Sequence, residues 1–338
     1  MIITRTPFRI TLGGGGTDLP SYYEKYGGFI FSFTLNKYMY INVNRPSVDE
    51  FIRVNYSESE TVSTVKDLKH NIARACLQKF NINKSIEIAS MADIPSGSGL
   101  GSSSCYTVGL LNALRCLKRT SSTLSELAEE ACEVEINMLK KPMGKQDQYL
   151  ATYGGFLIMD INTNGKVKIR HAKIDIGVLD DLKRNLLVFY TGRQRTNEKI
   201  LKEQDNSTKN NKKDVLESLH YIKNSGYKIL EIVESGNISE LGRMFDEHWL
   251  RKKKLSSGVT NKYFDLIYES AKNNGALGGK ISGAGGGGFF TFYIEENHQG
   301  LRNEMAKQGL LELRYDFDFE GTKILANFMN YHSTGSSR

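Results

Sequence analysis

Long apolar runs are absent from this chain of 338 residues. Its longest apolar stretches, such as Leu186–Tyr190 and Phe289–Ile294, fall far short of the ~18 residues that a membrane-spanning helix needs. The first residues, MIITRTPFRITLGGGG, contain two arginines and a glycine run where a signal peptide has an apolar core. We therefore expect a cytoplasmic protein with no membrane partner.

Cysteine and histidine show none of the spacings that hold metals or disulfide scaffolds. The 4 cysteines, Cys76, Cys105, Cys116 and Cys132, stand at irregular intervals without a C-x-x-C motif, which predicts reduced thiols in or near the core. The 6 histidines include no H-E-x-x-H pattern. A protein class that depends on zinc or on disulfides is therefore excluded.

The charge is modest, with 45 basic and 38 acidic residues and a formal net charge of +7. No stripe of Lys and Arg interleaved with aromatic residues supports a nucleic-acid partner, so an anionic small molecule fits the charge better. The basic run Arg251–Lys254 predicts a solvated helix end, with a phosphate contact as the alternative reading.

Length and composition predict two globular domains, at roughly 150 residues each. Strand-like segments dominate the first half and amphipathic helices the second, so the fold class is α+β. We place the domains at residues 1–178 and 179–330, followed by a disordered tail at 331–338. The polar segment Glu203–Lys213 predicts a loop or linker, and Leu311–Phe319 predicts a strand.

Glycine is concentrated in three places, which hold twelve of the 32 glycines: Gly13–Gly16, Gly97 with Gly99 and Gly101, and Gly283 with Gly285–Gly288. The middle cluster follows a predicted strand and opens a predicted helix. The first amides of a helix lack intrahelical partners and lie at the positive end of its dipole, so this segment predicts an anion site for nucleotide phosphates. A capped helix after a flexible turn is the alternative. The candidate ATP-binding residues are Pro95, Gly97, Ser98, Gly99, Leu100, Gly101, Ser102, Ser103 and Ser104.

Two common phosphate motifs do not apply. A Walker A sequence is absent. The third cluster contains G-x-G-x-x-G at Gly283–Gly288, but the apolar run that follows predicts a strand, whereas a dinucleotide-binding motif requires a helix there. A hydride-transfer enzyme is therefore disfavoured.

The three clusters resemble, in order, the three motifs of the GHMP small-molecule kinases. The matching segments are Thr6–Asp18, Pro95–Ser104 and Lys280–Gly288. The resemblance implies a bilobal α+β fold, with an N-terminal half like the second domain of ribosomal protein S5 and a ferredoxin-like C-terminal half. It also implies ATP as co-substrate and Mg²⁺.

Catalytic roles follow from the resemblance, residue by residue. Ser103 and Glu135 match the family's Mg²⁺ ligands, and Asp147 matches its catalytic base. Arg9 is our candidate for the cation that keeps Asp147 ionised and stabilises transition-state charge. Without the family match, Glu135 would be read as a solvated helix carboxylate beside Glu129, Glu130 and Glu133.

The segment Arg5–Tyr23 resembles one subgroup of that family, the D-glycero-D-manno-heptose 7-phosphate kinases, which phosphorylate the anomeric hydroxyl in a route to surface polysaccharide. The resemblance implies a phosphorylated sugar as substrate. Expected substrate contacts are Gly15, Gly16, Thr17, Asp18, Lys280, Gly283, Gly285 and Gly286. Arg193 and Arg195 are candidate clamps for the sugar's own phosphate, with ordinary loop arginines as the alternative. Another sugar kinase, for fucose or galactose, and a non-catalytic nucleotide-binding relative remain alternatives, and the oligomeric state stays open.

Overall fold

Two long antiparallel strands near the start of the chain form the centre of the larger of two sheets. The computed structural model describes residues 1–193 and 197–329. Its strands are β1 (Ile2–Gly13), β2 (Gly28–Asn44), β3 (Ile52–Asn55), β4 (Ser59–Val62), β5 (Ile86–Ala92), β6 (Phe156–Ile161), β7 (Val167–His171), β8 (Leu186–Tyr190), β9 (Gly278–Ile281), β10 (Phe289–Tyr293), β11 (Leu311–Glu312), β12 (Phe317–Asp318) and β13 (Lys323–Asn327).

Helices lie in several of the segments between the strands. They are α1 (Pro20–Tyr26), α2 (Asn71–Lys79), α3 (Ser102–Lys118), α4 (Leu124–Cys132), α5 (Gln146–Tyr153), α6 (Ile176–Asn185), α7 (Asn197–Lys209), α8 (Lys213–Ser235), α9 (Leu241–Lys252), α10 (Lys262–Asn273) and α11 (His298–Lys307). Short 3₁₀ turns lie at Val65–Asp67 and Ile238–Glu240, and a π-helical turn continues α4 at Glu133–Met138.

The larger sheet has the order β13-β1-β2-β5-β3-β4, with β6 and β12 also paired along β2 and β7 paired with β6. Its pairs are antiparallel except β3 with β5. The smaller sheet is antiparallel, in the order β11-β8-β10-β9. The α+β class is confirmed.

Helix α3 packs on β1 and β2 because its predicted apolar face, including Leu110, Leu111 and Leu114, is completely buried in the first core. The predicted capping box that starts α4 is also present. Thr123 Oγ1 accepts from the Glu126 amide at 3.2 Å, and Glu126 Oε2 accepts from the Thr123 amide at 2.8 Å.

A second core lies on the smaller sheet, where α9 and α10 bury aromatic residues that include Trp249, Phe264, Phe290 and Phe292. Helix α8 connects the two halves, since it packs on β1, β2 and α9. Gly226 of α8 lies so close to Gly13 that a Cβ on Gly13 would be only 2.6 Å from the Gly226 Cα. Glycine at both positions brings the helix onto the end of β1.

The expectation of a loop at Glu203–Lys213 is wrong, because α7 continues to Lys209. The segment has few apolar residues, and polar groups are buried instead: Gln204, Ser207 and Thr208 are each at most 5% exposed. Packing on α1 and α8 therefore stabilises a helix that local propensity does not predict.

The expected single strand at Leu311–Phe319 is also wrong. The chain forms two short strands there, β11 on β8 in the smaller sheet and β12 on β2 in the larger one. One continuous strand cannot hydrogen-bond to both sheets, so the backbone breaks between them. Strand β13 then pairs with β1, which returns the end of the chain to the first sheet.

The predicted domain boundary at 178/179 falls inside α6 and stays a prediction, and the predicted tail lies outside the described residues. None of the helices in the described ranges combines the length and apolar character that a bilayer crossing needs.

Candidate active site

A cleft of about 490 Å³ is lined by residues of both sheets and of the helices between them. This volume lies within the range that small-molecule sites occupy. The glycine loop after β1, the first turn of α3, the start of α5, and residues of α9 and β9 all contribute to its walls. The three glycine clusters, far apart in sequence, therefore meet at one place.

The segment before α3 has the backbone that its glycines predict. Gly97, Gly99 and Gly101 all have positive φ, between 71° and 91°, and Gly101 is the N-cap of the helix. Gly99, Gly101, Ser102 and Ser103 line the cleft. The start of α3 thus presents amides without intrahelical partners beside an enclosed space.

The remaining residues of this segment hold the loop in place. Ser98 and Leu100 are completely buried, and the Leu100 carbonyl accepts a hydrogen bond from the Arg9 amide at 3.1 Å. Pro95 is exposed, and Ser104 Oγ points inward to Glu135 Oε2 at 2.7 Å. Gly288 supports the loop from the second lobe, because a Cβ there would overlap the Ser98 carbonyl.

Arg9 and Asp147 form a nearly buried ion pair in the cleft. Arg9 Nε and Nη2 lie 2.7 and 2.6 Å from Asp147 Oδ1, and Nη1 donates to the Gly99 carbonyl at 2.7 Å. Asp147 lies in the first turn of α5 and Arg9 on β1, and Arg9 is 3% exposed. The guanidinium therefore links the predicted base to the predicted nucleotide loop.

Asp18 is buried at the other end of the glycine loop. It accepts hydrogen bonds from the amides of Gln146 (3.1 Å) and Gly16 (3.2 Å), and from Gln146 Nε2 (3.3 Å). Burial raises the pKa of Asp18 to about 6, and the charge of Asp147 contributes to the rise. Asp18 and Asp147 are therefore two neighbouring carboxylates in different environments.

Gly15 and Gly16 line the cleft beside Asp18, but Thr17 does not. Thr17 Oγ1 lies 2.8 Å from the Gly14 carbonyl oxygen and 2.9 Å from that of Phe29, so its one hydroxyl hydrogen is shared between them, and it accepts from the Phe29 amide at 3.1 Å. The expected substrate contact of Thr17 is corrected to a structural one, because its hydroxyl fastens the glycine loop to β2.

Comparison with known proteins gives matches over most of the chain. The model of the GHMP kinases N terminal domain matches residues 65–155, and that of the GHMP kinases C terminal domain matches residues 229–309. A D-glycero-alpha-D-manno-heptose 7-phosphate kinase of Campylobacter jejuni is 30% identical over 95% of this chain and 98% of its own length. The chain belongs to the GHMP kinase family. It is therefore a phosphotransferase of the kinase class, as its motifs predict.

Solved structures show the same relationship for this GHMP kinase. A D-glycero-D-manno-heptose 1-phosphate kinase from Bacteroides thetaiotaomicron superposes with a TM-score of 0.80 and 25% identity, covering 97% of this chain and 100% of that one. A chain from Campylobacter jejuni that is named as a putative sugar kinase superposes with a TM-score of 0.76 and 29% identity, covering 96% of this chain and 97% of that one. The predicted two-part GHMP kinase fold is confirmed.

Glu135, the carboxylate that the family resemblance assigns to Mg²⁺, is not a solvated helix residue. It is fully buried in the π-helical turn, where Ser103 Oγ, Ser104 Oγ and Gln148 Nε2 all donate to it. Lys141 Nζ lies 3.0 Å from Glu135 Oε1 and 2.6 Å from Ser103 Oγ. The hydroxyl and carboxylate oxygens fit Mg²⁺ in chemical type, while a lysine ammonium contacts the same two oxygens.

Several expected contacts of the GHMP kinase lie elsewhere. Arg193 does not line the cleft: it is exposed and its guanidinium stacks on the Tyr263 ring, 4.3 Å from the centroid. Arg195 lies outside the described residues. Gly283 does line the cleft, whereas Gly285 and Gly286 pack against Val259 and the backbone of Gly258. Their role is to close the loop against the second core.

The residues lining the cleft that sequence reasoning missed include three polar ones, Lys141, Gln204 and His248. The residues of the basic run Arg251–Lys254 lie in different environments. Lys252 reaches the cleft and donates to the carbonyls of Ile281 (2.6 Å) and Gly283 (2.5 Å), whereas Lys253 pairs with Asp265 at 3.4 Å. The alternative reading of that run, a phosphate contact, did not distinguish among its four residues, and nothing in the sequence pattern singles out His248.

Proposed function

We propose that this GHMP kinase transfers the γ-phosphoryl group of ATP to the anomeric hydroxyl of D-glycero-D-manno-heptose 7-phosphate. The observation that carries the proposal is the Arg9–Asp147 pair. It stands between the first turn of α3, which suits nucleotide phosphates, and the Asp18 loop, which suits a sugar. The name of the Campylobacter jejuni relative supplies heptose 7-phosphate as the sugar, and that of the Bacteroides relative, a heptose 1-phosphate kinase, supports a heptose phosphate in general.

The nucleotide phosphates would lie against the amides of Gly99–Ser103, where unpartnered N–H groups and the helix dipole favour negative charge. Ser103 and Glu135 would hold Mg²⁺, which supplies neutralisation of the phosphate charge when bound. Phosphoryl transfer depends mainly on positioning and charge stabilisation, so these groups need only fix the terminal phosphate opposite the sugar.

Asp147 would accept the proton of the anomeric hydroxyl as its oxygen forms a bond to the γ-phosphorus and the bond to the ADP oxygen breaks. Arg9 orients the carboxylate and offers positive charge to the transferring group. Asp18 would accept a hydrogen bond from a sugar hydroxyl. Gly15 and Gly16, which carry no side chains, would leave room for a seven-carbon sugar. The product is the 1,7-bisphosphate, which a cytoplasmic route to surface polysaccharide would consume.

The test is mass spectrometry of the product formed from heptose 7-phosphate, ATP and Mg²⁺. We expect one added phosphoryl group, at the anomeric carbon by ³¹P NMR. Asp147→Asn is the matched variant, because it keeps the shape of the side chain and should lower kcat by about 10²–10⁴-fold while ATP binding persists. If fucose or galactose were phosphorylated faster than heptose 7-phosphate, that sugar would replace heptose as the proposed substrate. If no sugar were phosphorylated, the proposal would reduce to a non-catalytic nucleotide-binding protein.

A further inference from the structure

Three basic side chains from the second lobe converge on the cleft. His248 and Lys252 are four residues apart and lie on one face of α9, and Lys280 lies on β9. His248 is 2% and Lys280 4% exposed. We call these three residues the basic wall. Asp18, Asp147 and the glycine loop belong to other walls of the same cleft.

Two members of the basic wall, Lys280 and His248, are poorly neutralised. Within residues 1–193 and 197–329, Lys280 forms no ion pair with a carboxylate: Nζ donates to the Leu12 carbonyl and lies 4.5 Å from the Phe245 ring centroid. His248 Nδ1 has no hydrogen-bond partner in the same part of the chain. Lys252 donates to two backbone carbonyls. Burying a cation or an unpartnered polar nitrogen costs free energy, and a bound anion offsets that cost by pairing with the charge and accepting the hydrogen bond.

The electrostatics agree with that geometry. Burial lowers the pKa of Lys280 to about 7. Burial also lowers the pKa of His248 well below its usual range, and the charges of Lys280 and Lys252 add to the effect. A bound dianion would reverse both effects, since it favours the protonated lysine and accepts the Nδ1 hydrogen of a neutral histidine.

We propose that His248, Lys252 and Lys280 form a subsite for a phosphate monoester, and that it takes the phosphate the sugar already carries. The assignment rests on the proposed function. Lys280 contacts the carbonyl of Leu12, the residue before Gly13–Gly16, so the basic wall adjoins the glycine loop that is proposed to bind the sugar. The nucleotide phosphates have a separate site at the start of α3. The subsite replaces Arg193 as the predicted clamp.

Binding of inorganic phosphate to the ADP-saturated enzyme tests the subsite without a sugar, because ADP covers the nucleotide loop. Calorimetry should show binding to the wild type and a loss of at least about 10-fold in affinity for Lys252→Met and Lys280→Met, which remove one charge-assisted contact each. Lys253→Met is the matched control, since Lys253 pairs with Asp265 outside the cleft. Equal phosphate affinity in all four proteins overturns the subsite.

Kinetics with heptose 7-phosphate and with unphosphorylated heptose then identify the source of the phosphate. A sugar-phosphate subsite predicts that Lys252→Met raises KM for the phosphorylated sugar about 10- to 100-fold and changes kcat/KM for heptose less than about threefold. A rise in KM for ATP with both sugars would instead assign the basic wall to the γ-phosphate and overturn the proposal. If the wild type binds phosphate but does not turn over heptose 7-phosphate, the proposed function fails and the anion site stands.

Discussion

Lys141 donates a 2.6 Å hydrogen bond to Ser103 Oγ, and the same ammonium lies 3.0 Å from Glu135 Oε1. A lysine therefore contacts both oxygens that the family pattern assigns to Mg²⁺. Two cations cannot share these oxygens without repulsion, so Lys141 would have to move for Mg²⁺ to bind there. We expect Lys141 to weaken Mg²⁺ binding in the absence of nucleotide.

Replacing Lys141 by Met should increase the stabilisation that Mg²⁺ provides, because the variant removes the competing charge and leaves both oxygens in place. Thermal unfolding with and without millimolar MgCl₂, free of nucleotide, measures this as a larger rise in Tm for the variant than for the wild type. Lys140→Met, at an exposed neighbour, is the control. An identical Mg²⁺ shift in both variants and the wild type would contradict the idea.

Arg9→Lys should lower kcat by about 10²-fold or more. The guanidinium binds Asp147 and the Gly99 carbonyl at once, and a single ammonium cannot satisfy both directions. Steady-state kinetics should show the loss while circular dichroism stays unchanged. Arg53→Lys is a matched control, because Arg53 forms a similar fork with Asp49 far from the cleft. Retention of most activity in Arg9→Lys would remove this role for Arg9.

Gly144→Ala should raise the KM for the sugar about tenfold or more. A Cβ on Gly144 would overlap Asp18 Oδ2 and approach the Asp18 backbone, so the carboxylate has to leave its position. Gly177→Ala is the control, since a Cβ there meets nothing within 4 Å. Kinetics at saturating ATP measure both variants. An unchanged KM in Gly144→Ala would show that the position of Asp18 does not govern sugar binding.

Asp18 should make the protein less stable as the pH rises from about 4 to about 6. Its folded pKa of about 6 exceeds the ordinary value of 3.8, so the folded state binds more protons than the unfolded state in that window. The loss of stability is complete above that window. The corresponding free energy is about 3 kcal/mol at most. Urea unfolding of wild type and Asp18→Asn should show the variant gaining relative stability across that window. Parallel pH curves for the two proteins would contradict the pKa shift.

Much of the site was predictable because it depends on local backbone chemistry. A glycine-rich turn before an amphipathic helix presents free amides wherever it occurs, and Gly97–Ser103 do so here. The order of the three motifs placed Arg9, Asp18 and Asp147 in one region, and the structure brings them together. The helix at α7 could not be predicted, because it depends on buried polar side chains rather than on apolar periodicity.

The sequence by itself determined the family, the α+β class and the position of the glycine-rich loop before α3, since these follow from short segments whose geometry is local. Only the tertiary structure decided which cations reach the cleft. Lys252 and Lys280 lie in it and Arg193 does not, although all three stand near turns or helix ends. The reason is physical: a long side chain can point in several directions, and the packing of α9 on β9 selects one of them.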